Sequence, residues 1–258
     1  MPSILLEVNN SIAVITLNRP EKFNAFNREM ALTLQQKLDE SNEDKSIRCI
    51  YLTGAGKGFC AGQDITEIAD ANRTGIDKIL AEYYNPIITK IRNLNKPVMA
   101  AVNGIAAGAG ANIALCCDIV IAKESASFIQ AFCKIGLIPD SGGTFFLPRL
   151  VGFQKAGALM MLGDKVSSAE AERIGMIYKA FADDVFEKET LKIAETLAAM
   201  PTQALAYIKQ ALNNSFSNNL EQQLDIEDEL QQKAGSTLDF KEGVQAFLEK
   251  RLPVFKGV

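Results

Sequence analysis

The chain predicts an α/β protein, with a core of short strands and helices over residues 1–195 and an all-helical region over 196–258. Three observations carry this reading. Short β-branched runs alternate with stretches whose apolar residues repeat at helical spacing. Glycine-rich loops close strands before helices. From about Gly152 onward strand signals stop and only helical patterns remain.

Taken in order, "ILLEV" and "IAVITLN" are split by Asn9 and Asn10 and predict a hairpin. The polar loop "NRPEKFNAF" follows. A helix starts near Asn27, with Met30, Leu34 and Leu38 on one face. "CIYLT" is a buried strand that runs into the glycine-rich loop "GAGKGFCAGQD". Ile76, Ile79, Leu80, Tyr83, Ile87, Ile91 and Leu94 form a helical stripe, with a kink expected at Pro86. "KPVMAAV" is the next strand and ends in a second small-residue loop, "NGIAAGAGA". A short helix over "IALCCD" and strands at "IVIA" and "ASF" complete the core. The tail reads as helices at "QKAGALMML", "SAEAERIG", "VFEKETLKIAETLAAM", "TQALAYIKQALNN" and "NLEQQLDIEDELQQKAG". No low-complexity linker divides the two parts.

Composition removes several classes of function. With 258 residues, 48% hydrophobic and 22% charged, the chain can bury a sizeable core and is not disordered. A net charge of −4 gives no footprint for nucleic acid. The longest apolar stretch, 97–122, is interrupted by Asn103, Asn112 and Asp118, so no membrane span is expected. Met1 to Ser11 lacks the basic and apolar regions of an export signal, and the five cysteines show no paired spacing. A cytoplasmic protein with free thiols and no metal site is expected. The chain has no histidine at all. Serine–histidine and cysteine–histidine mechanisms are therefore closed to it, and proton transfer falls to Asp, Glu, Lys, Tyr or Cys.

Two loops and one carboxylate carry the chemistry. "GKGFCAGQDI" and "NGIAAGAGANIAL" are built of small residues that let a ligand approach backbone, and each leads into a helix whose first N–H groups are free. Two such N–H groups aimed at one carbonyl oxygen could hold an enolate. Neither loop fits a nucleotide site, since "GAGKGF" lacks the Lys–Ser/Thr of a phosphate-binding loop. "GLIPDSGGT" places Asp140 between a proline and a glycine pair. Read alone, Asp140 is either a turn residue bonding nearby N–H groups or an acid/base in an apolar setting created by Phe132, Ile138 and their neighbours.

These segments, with "NRPEKFNAF", "KPVMAAVNGIAAGAGANIALCCDIVIA", "IGLIPDSGGTFFLPRLVG", "AEAERIGMI" and "EGVQAFLEKRLPVFKG", resemble the crotonase, or enoyl-CoA hydratase/isomerase, superfamily over nearly the whole chain. The resemblance implies a crotonase-like spiral of repeated ββα units with a C-terminal helical trimerisation region, assembled as a homotrimer or a dimer of trimers. It implies an acyl-CoA substrate, with coenzyme A as part of that substrate and no separate cofactor. It places oxyanion donors at the Gln63 and Ala109 N–H groups, beside Gly62 and Gly108. It assigns the coenzyme A moiety to Lys22, Phe23, Asn24, Ala25, Ala61, Asp64 and Ile65, and its adenine end to Lys250 and Phe255. Asp64 reads as a carboxylate that stabilises its loop rather than as an acid.

The superfamily's hydratases use two glutamates, and the matching positions here hold Asn112 and Phe132. Its dehalogenases pair an aspartate at the Asp140 position with a histidine, which this chain lacks. Its isomerases need one carboxylate, and Asp140 suits that role. Within them, "GLIPDSGGTFFLPRLVG" and "AAGAGAN" most resemble the isomerases that act on the ring 1,2-epoxide of phenylacetyl-CoA. The expectation is an acyl-CoA isomerase, with Asn112 and Phe132 near the substrate. A hydratase-like lyase and a non-catalytic acyl-CoA-binding scaffold are the alternatives.

Overall fold

A computed structural model describes residues 2–68, 75 and 78–258. The predicted hairpin is β1 (Ile4–Asn9) and β2 (Ile12–Leu17), paired antiparallel. Helix α1 (Arg28–Glu43) begins where the Asn27 side chain accepts the Met30 N–H, and it buries Met30, Leu34 and Leu38 completely.

From there the chain repeats one unit three times. Each unit gives a strand to one sheet, turns, and gives a shorter strand to another. The pairs are β3 (Cys49–Gly54) with β4 (Gly58–Cys60), β5 (Val98–Val102) with β6 (Ile105–Ala107), and β7 (Ile119–Lys123) with β8 (Ser127–Ile129). The longer strands join β1, β2 and β10 (Lys179–Phe181) in a six-stranded sheet ordered β1-β2-β3-β5-β7-β10. The shorter strands build a four-stranded sheet, β4-β6-β8-β9, with β9 at Lys165–Ser167. Like strands of successive units pair in parallel, so the chain winds as a spiral. The turns stack as closely as the strands. A Cβ at Gly104 would run into the Lys57 carbonyl, which requires glycine there.

The large sheet is covered on both faces, as parallel sheets require. Ile50 and Leu52 point into the main core with Leu34, Phe59 and Ile113, while Cys49 and Tyr51 face Phe186, Ala194 and Ala198. The last three lie on α8 (Phe186–Ala199), which runs unbroken through residue 195. Among the described residues the remaining α-helices are α2 (Ile65–Ile68), α3 (Asn85–Asn93), α4 (Ala109–Leu115), α5 (Gly143–Val151), α6 (Phe153–Leu162), α7 (Ser168–Arg173), α9 (Thr202–Ser215), α10 (Leu220–Gly235) and α11 (Leu238–Glu249). A polar knot ties α9 to the core: Lys209 Nζ and Arg92 Nη1 reach Asp118 at 2.8 and 3.0 Å, and Asp118 also accepts the Val98 N–H.

Four expectations need correction. The two glycine-rich loops each contain a strand, β4 and β6, which are too short and too rich in small residues to show a period. Strands do not stop at Gly152: β9 pairs antiparallel with β8, and β10 extends the large sheet in parallel from β7. Three-residue strands are held by their partners rather than by their own pattern. The stripe around Pro86 is not one α-helix: a π-helical turn, Ile79–Tyr84, runs directly into α3, whose second residue is Pro86. Ile138 does not shield Asp140, because it is 79% exposed. Of the predicted stripe, Ile76 lies outside the described residues.

Candidate active site

Spiral winding brings the two small-residue loops side by side. The first crosses from β4 to α2 and is braced from below by Arg19, whose guanidinium donates to the Ala25 carbonyl and to Asp64 Oδ2, the latter at 2.9 Å. Asn24 is fully buried with a left-handed backbone (φ 56°) and donates to the Ala55 and Gly58 carbonyls. Phe26 pairs with the loop as an isolated parallel bridge to Gln63, donating to the Gly62 carbonyl and accepting the Asp64 N–H. That ladder uses the peptides on either side of Gln63 and leaves the Gln63 N–H facing the other way.

The second loop runs from β6 into α4. Gly108 adopts φ 53°, and Ala109 is the first helical residue, so its N–H has no carbonyl one turn back. The loops touch: a Cβ on Gly62, at φ 90°, would lie 3.0 Å from the Ala107 carbonyl and 3.4 Å from the Ala109 nitrogen. Only glycine permits this approach.

Between them lies a cavity of about 200 Å³. Ala61, Gly62, Gln63 and Ile65 form one wall, Gly108 and Ala109 the second, Phe132 and Leu137 the third, and Asp140 closes it. Ile79, Leu80 and Tyr84 supply the remaining apolar side. Asp140 is the one carboxylate among the described residues that line it. The turn around Asp140 is closed by its carbonyl, which accepts the Gly143 N–H and the Asn112 side-chain amide, each at 2.8 Å. This leaves the carboxyl group for the cavity, where Ser141 Oγ donates to Oδ1 at 2.8 Å. Burial pushes the Asp140 carboxyl above its ordinary range, against the opposing pull of the Ser141 hydroxyl.

Other candidates fall outside the cavity wall. Asn112 is buried and holds the Asp140 carbonyl on one side while accepting Gln130 Nε2 at 2.7 Å on the other. It is a strut rather than a wall residue, and a Cβ at Gly143 would collide with it. Asp64 braces its own loop through Arg19 and the Thr66 hydroxyl and N–H. These partners outweigh its burial and hold its carboxyl low. Lys22 and Phe23 are exposed on the loop outside β4, and Ala25 is buried beneath it. Lys250 caps α11 in a left-handed conformation, and Phe255 packs beside Gly243 in a groove with Phe240 and Phe247. In a single chain neither reaches the cavity.

Tyr84, Arg19 and Gln130 were missed as parts of this arrangement. Tyr84 follows Tyr83, which already satisfies the helical period, so no apolar pattern singles it out. The Arg19 side chain gains meaning only once the Ala25 and Asp64 backbones are brought to it. Among the described residues no group of three or more His, Cys, Asp or Glu side chains could hold a metal ion, and no helix is long and apolar enough to cross a membrane.

Comparison with known proteins agrees over the full length. The chain is 46% identical to the 1,2-epoxyphenylacetyl-CoA isomerase of Escherichia coli K12, with 100% of this chain and 99% of the relative covered. It is also 46% identical to a Rhodobacter capsulatus protein named "Probable enoyl-CoA hydratase", covering 99% and 98% of the two chains. The solved enoyl-CoA hydratase of Bacillus anthracis superposes with a TM-score of 0.92 at 34% identity, covering 99% and 100%. The family model described as enoyl-CoA hydratase/isomerase matches residues 7–258. A spiral of paired strands, two touching glycine loops and full-length similarity agree, and the chain belongs to the enoyl-CoA hydratase/isomerase, or crotonase, family.

Proposed function

We propose that the protein is an acyl-CoA isomerase in which Asp140 is the acid/base and the Gln63 and Ala109 N–H groups hold the thioester oxygen. Family membership supports an acyl-CoA activity. The observation that carries the finer reading is a cavity with one carboxylate among the described residues that line it, raised by burial and facing two loops with outward N–H groups. Polarising the thioester acidifies the α-carbon. Asp140 takes a C2 proton from a 3-enoyl-CoA, the electron pair passes into a dienolate held by the two N–H groups, and the same carboxyl returns the proton to C4. The product is the 2-enoyl thioester. On ring-1,2-epoxyphenylacetyl-CoA the same apparatus assists C–O rearrangement to the oxepin, the reaction suggested by the Escherichia coli relative's name. A cavity of about 200 Å³ suits the acyl group, with coenzyme A outside it along Ala61 and Ile65.

The raised carboxyl sets the pH dependence. As a base, Asp140 works ionised, so kcat is expected to fall as pH drops through its pKa, at higher pH than for an ordinary aspartate. Absorbance assays on cis-3-hexenoyl-CoA and on ring-epoxidised phenylacetyl-CoA test the reading. Turnover of neither would leave an acyl-CoA-binding scaffold. Hydration is the other outcome to exclude. Phe132 lines the cavity and Asn112 is spent on the Asp140 carbonyl, so the glutamate pair of a hydratase has no counterpart. Crotonyl-CoA is expected to keep its enoyl absorbance. Rapid loss to 3-hydroxybutyryl-CoA would make the protein a hydratase.

We also propose a homotrimer or a dimer of trimers. Helices α9–α11 expose Ile208, Leu212, Leu224, Phe247 and Leu248, each more than half accessible, and a groove of about 610 Å³ lies between α9 and α10. Apolar surface on this scale marks an interface. Light scattering at micromolar concentration is expected to give a closed multiple of the 28.1 kDa chain, and a monomer mass would refute it.

A further inference from the structure

Tyr84 occupies a place the acid/base reading does not use. Ile79 and Tyr84 both line the cavity and are five residues apart, one turn of π-helix. The turn is closed by the Asn85 N–H on the Leu80 carbonyl. Leu80 lines the cavity as well, and Tyr84 is buried there beside the equally buried Tyr83. Such turns weaken the helix ladder and are frequent at functional sites.

The Tyr84 ring packs edge-on against Phe26, with centroids 5.9 Å apart, and its hydroxyl donates to Gln63 Oε1 at 2.7 Å. The direction of that bond is fixed by the next partner. Gln63 Nε2 faces Glu67 Oε2 at 3.3 Å, so Gln63 presents its oxygen to Tyr84, and Tyr84 is the donor. Glu67 Oε2 in turn accepts the Arg28 N–H at the start of α1, 3.1 Å away. Burial, reinforced by nearby groups that carry negative charge when ionised, Asp140 among them, keeps the phenol protonated well above the usual tyrosine range.

We propose that Tyr84 is a positioning residue: acting through the Gln63 side chain, it sets the aim of the Gln63 N–H into the cavity. The inference rests on the reading that this N–H holds the thioester oxygen. The Phe26 bridge holds the Gly62–Gln63 peptide by its carbonyl, at 2.7 Å, on the side away from the cavity. The Gln63 side chain adds a second hold, anchored on α1 by way of Glu67 and on the π turn through Tyr84, and that hold fixes the tilt of the N–H about the bridge.

The test uses the full-length protein with Tyr84→Phe, Gln63→Ala and the double variant. Gln63→Ala keeps the backbone N–H and deletes only the anchor. Misplacing a catalytic group by about 1 Å costs on the order of 10²-fold. Each single variant is expected to lower kcat about tenfold to a hundredfold with KM nearly unchanged, and the double variant to be no worse than either single. A second readout needs no turnover. The thioester carbonyl stretch of bound crotonyl-CoA, followed by difference infrared spectroscopy, should shift to lower frequency in the unaltered protein and lose part of that shift in all three variants.

Full kcat and full carbonyl shift in Tyr84→Phe would overturn the inference. So would a Tyr84→Phe loss with Gln63→Ala unaffected, because Tyr84 would then act without the Gln63 side chain. A protein that isomerises nothing, yet shows the shift and loses it in the variants, would refute the isomerase reading and leave this one standing. Absence of any shift in the unaltered protein would refute both.

Discussion

Asp140→Asn is expected to lower kcat for the 3-enoyl to 2-enoyl conversion by about 10²–10⁴, the usual worth of general acid–base catalysis. Asparagine keeps the size of the side chain. The bonds that shape the turn run to the Asp140 carbonyl, from Gly143 and Asn112, and survive the change. Binding is expected to survive too, since the proposed thioester donors are backbone groups. The stability effect has a definite sign. A carboxyl whose pKa is raised on folding favours the folded state below its unfolded pKa, and that contribution is lost as pH rises through its folded pKa. At neutral pH the buried charge is therefore a cost that asparagine removes. The melting temperature should stay level or rise while kcat collapses. A lower melting temperature with kcat intact would make Asp140 a turn residue and remove the proposed proton carrier.

Ala109→Pro isolates the second donor. Proline is tolerated at the first helical position because the N–H it lacks has no partner within the helix. Ala109 occupies that position in α4. The residue before a proline is restricted chiefly through its Cβ, and here that residue is Gly108. The substitution therefore deletes one N–H and spares the helix. Removing a single oxyanion donor costs about 10²–10³ in rate, and kcat is expected to fall by that order. Ala109→Gly keeps the N–H and serves as the control, with kcat close to the unaltered value. Urea midpoints for both separate lost catalysis from lost folding. Unchanged turnover in a folded Ala109→Pro would place the thioester oxygen elsewhere.

The sequence by itself determined the elements whose signal is local. Hairpin β1–β2, helix α1 with its Asn27 cap, the buried strands β3, β5 and β7 and the helical C-terminal region were readable because each repeats apolar residues at its own period, forms a short continuous apolar run, or carries its own cap. The missing histidine closed whole classes of mechanism, and the quoted segments identified the family. Of the candidate site, Gln63, Ala109, Phe132 and Asp140 do line one cavity.

Tertiary structure decided the rest. Strands β4, β6, β9 and β10 have no period of their own and exist because a neighbouring strand satisfies their backbone groups. Asn112 and Asn24 are polar side chains whose meaning depends on which carbonyls reach them across the spiral, and both proved to be internal braces. Ile138 is apolar and two residues from the carboxylate in sequence, yet it faces solvent, while Leu137 and Asp140 line the cavity. The π turn that brings Tyr84 to Gln63 adds one residue to a helical repeat. An apolar stripe cannot report that addition, because both tyrosines are buried whichever of them faces the cavity.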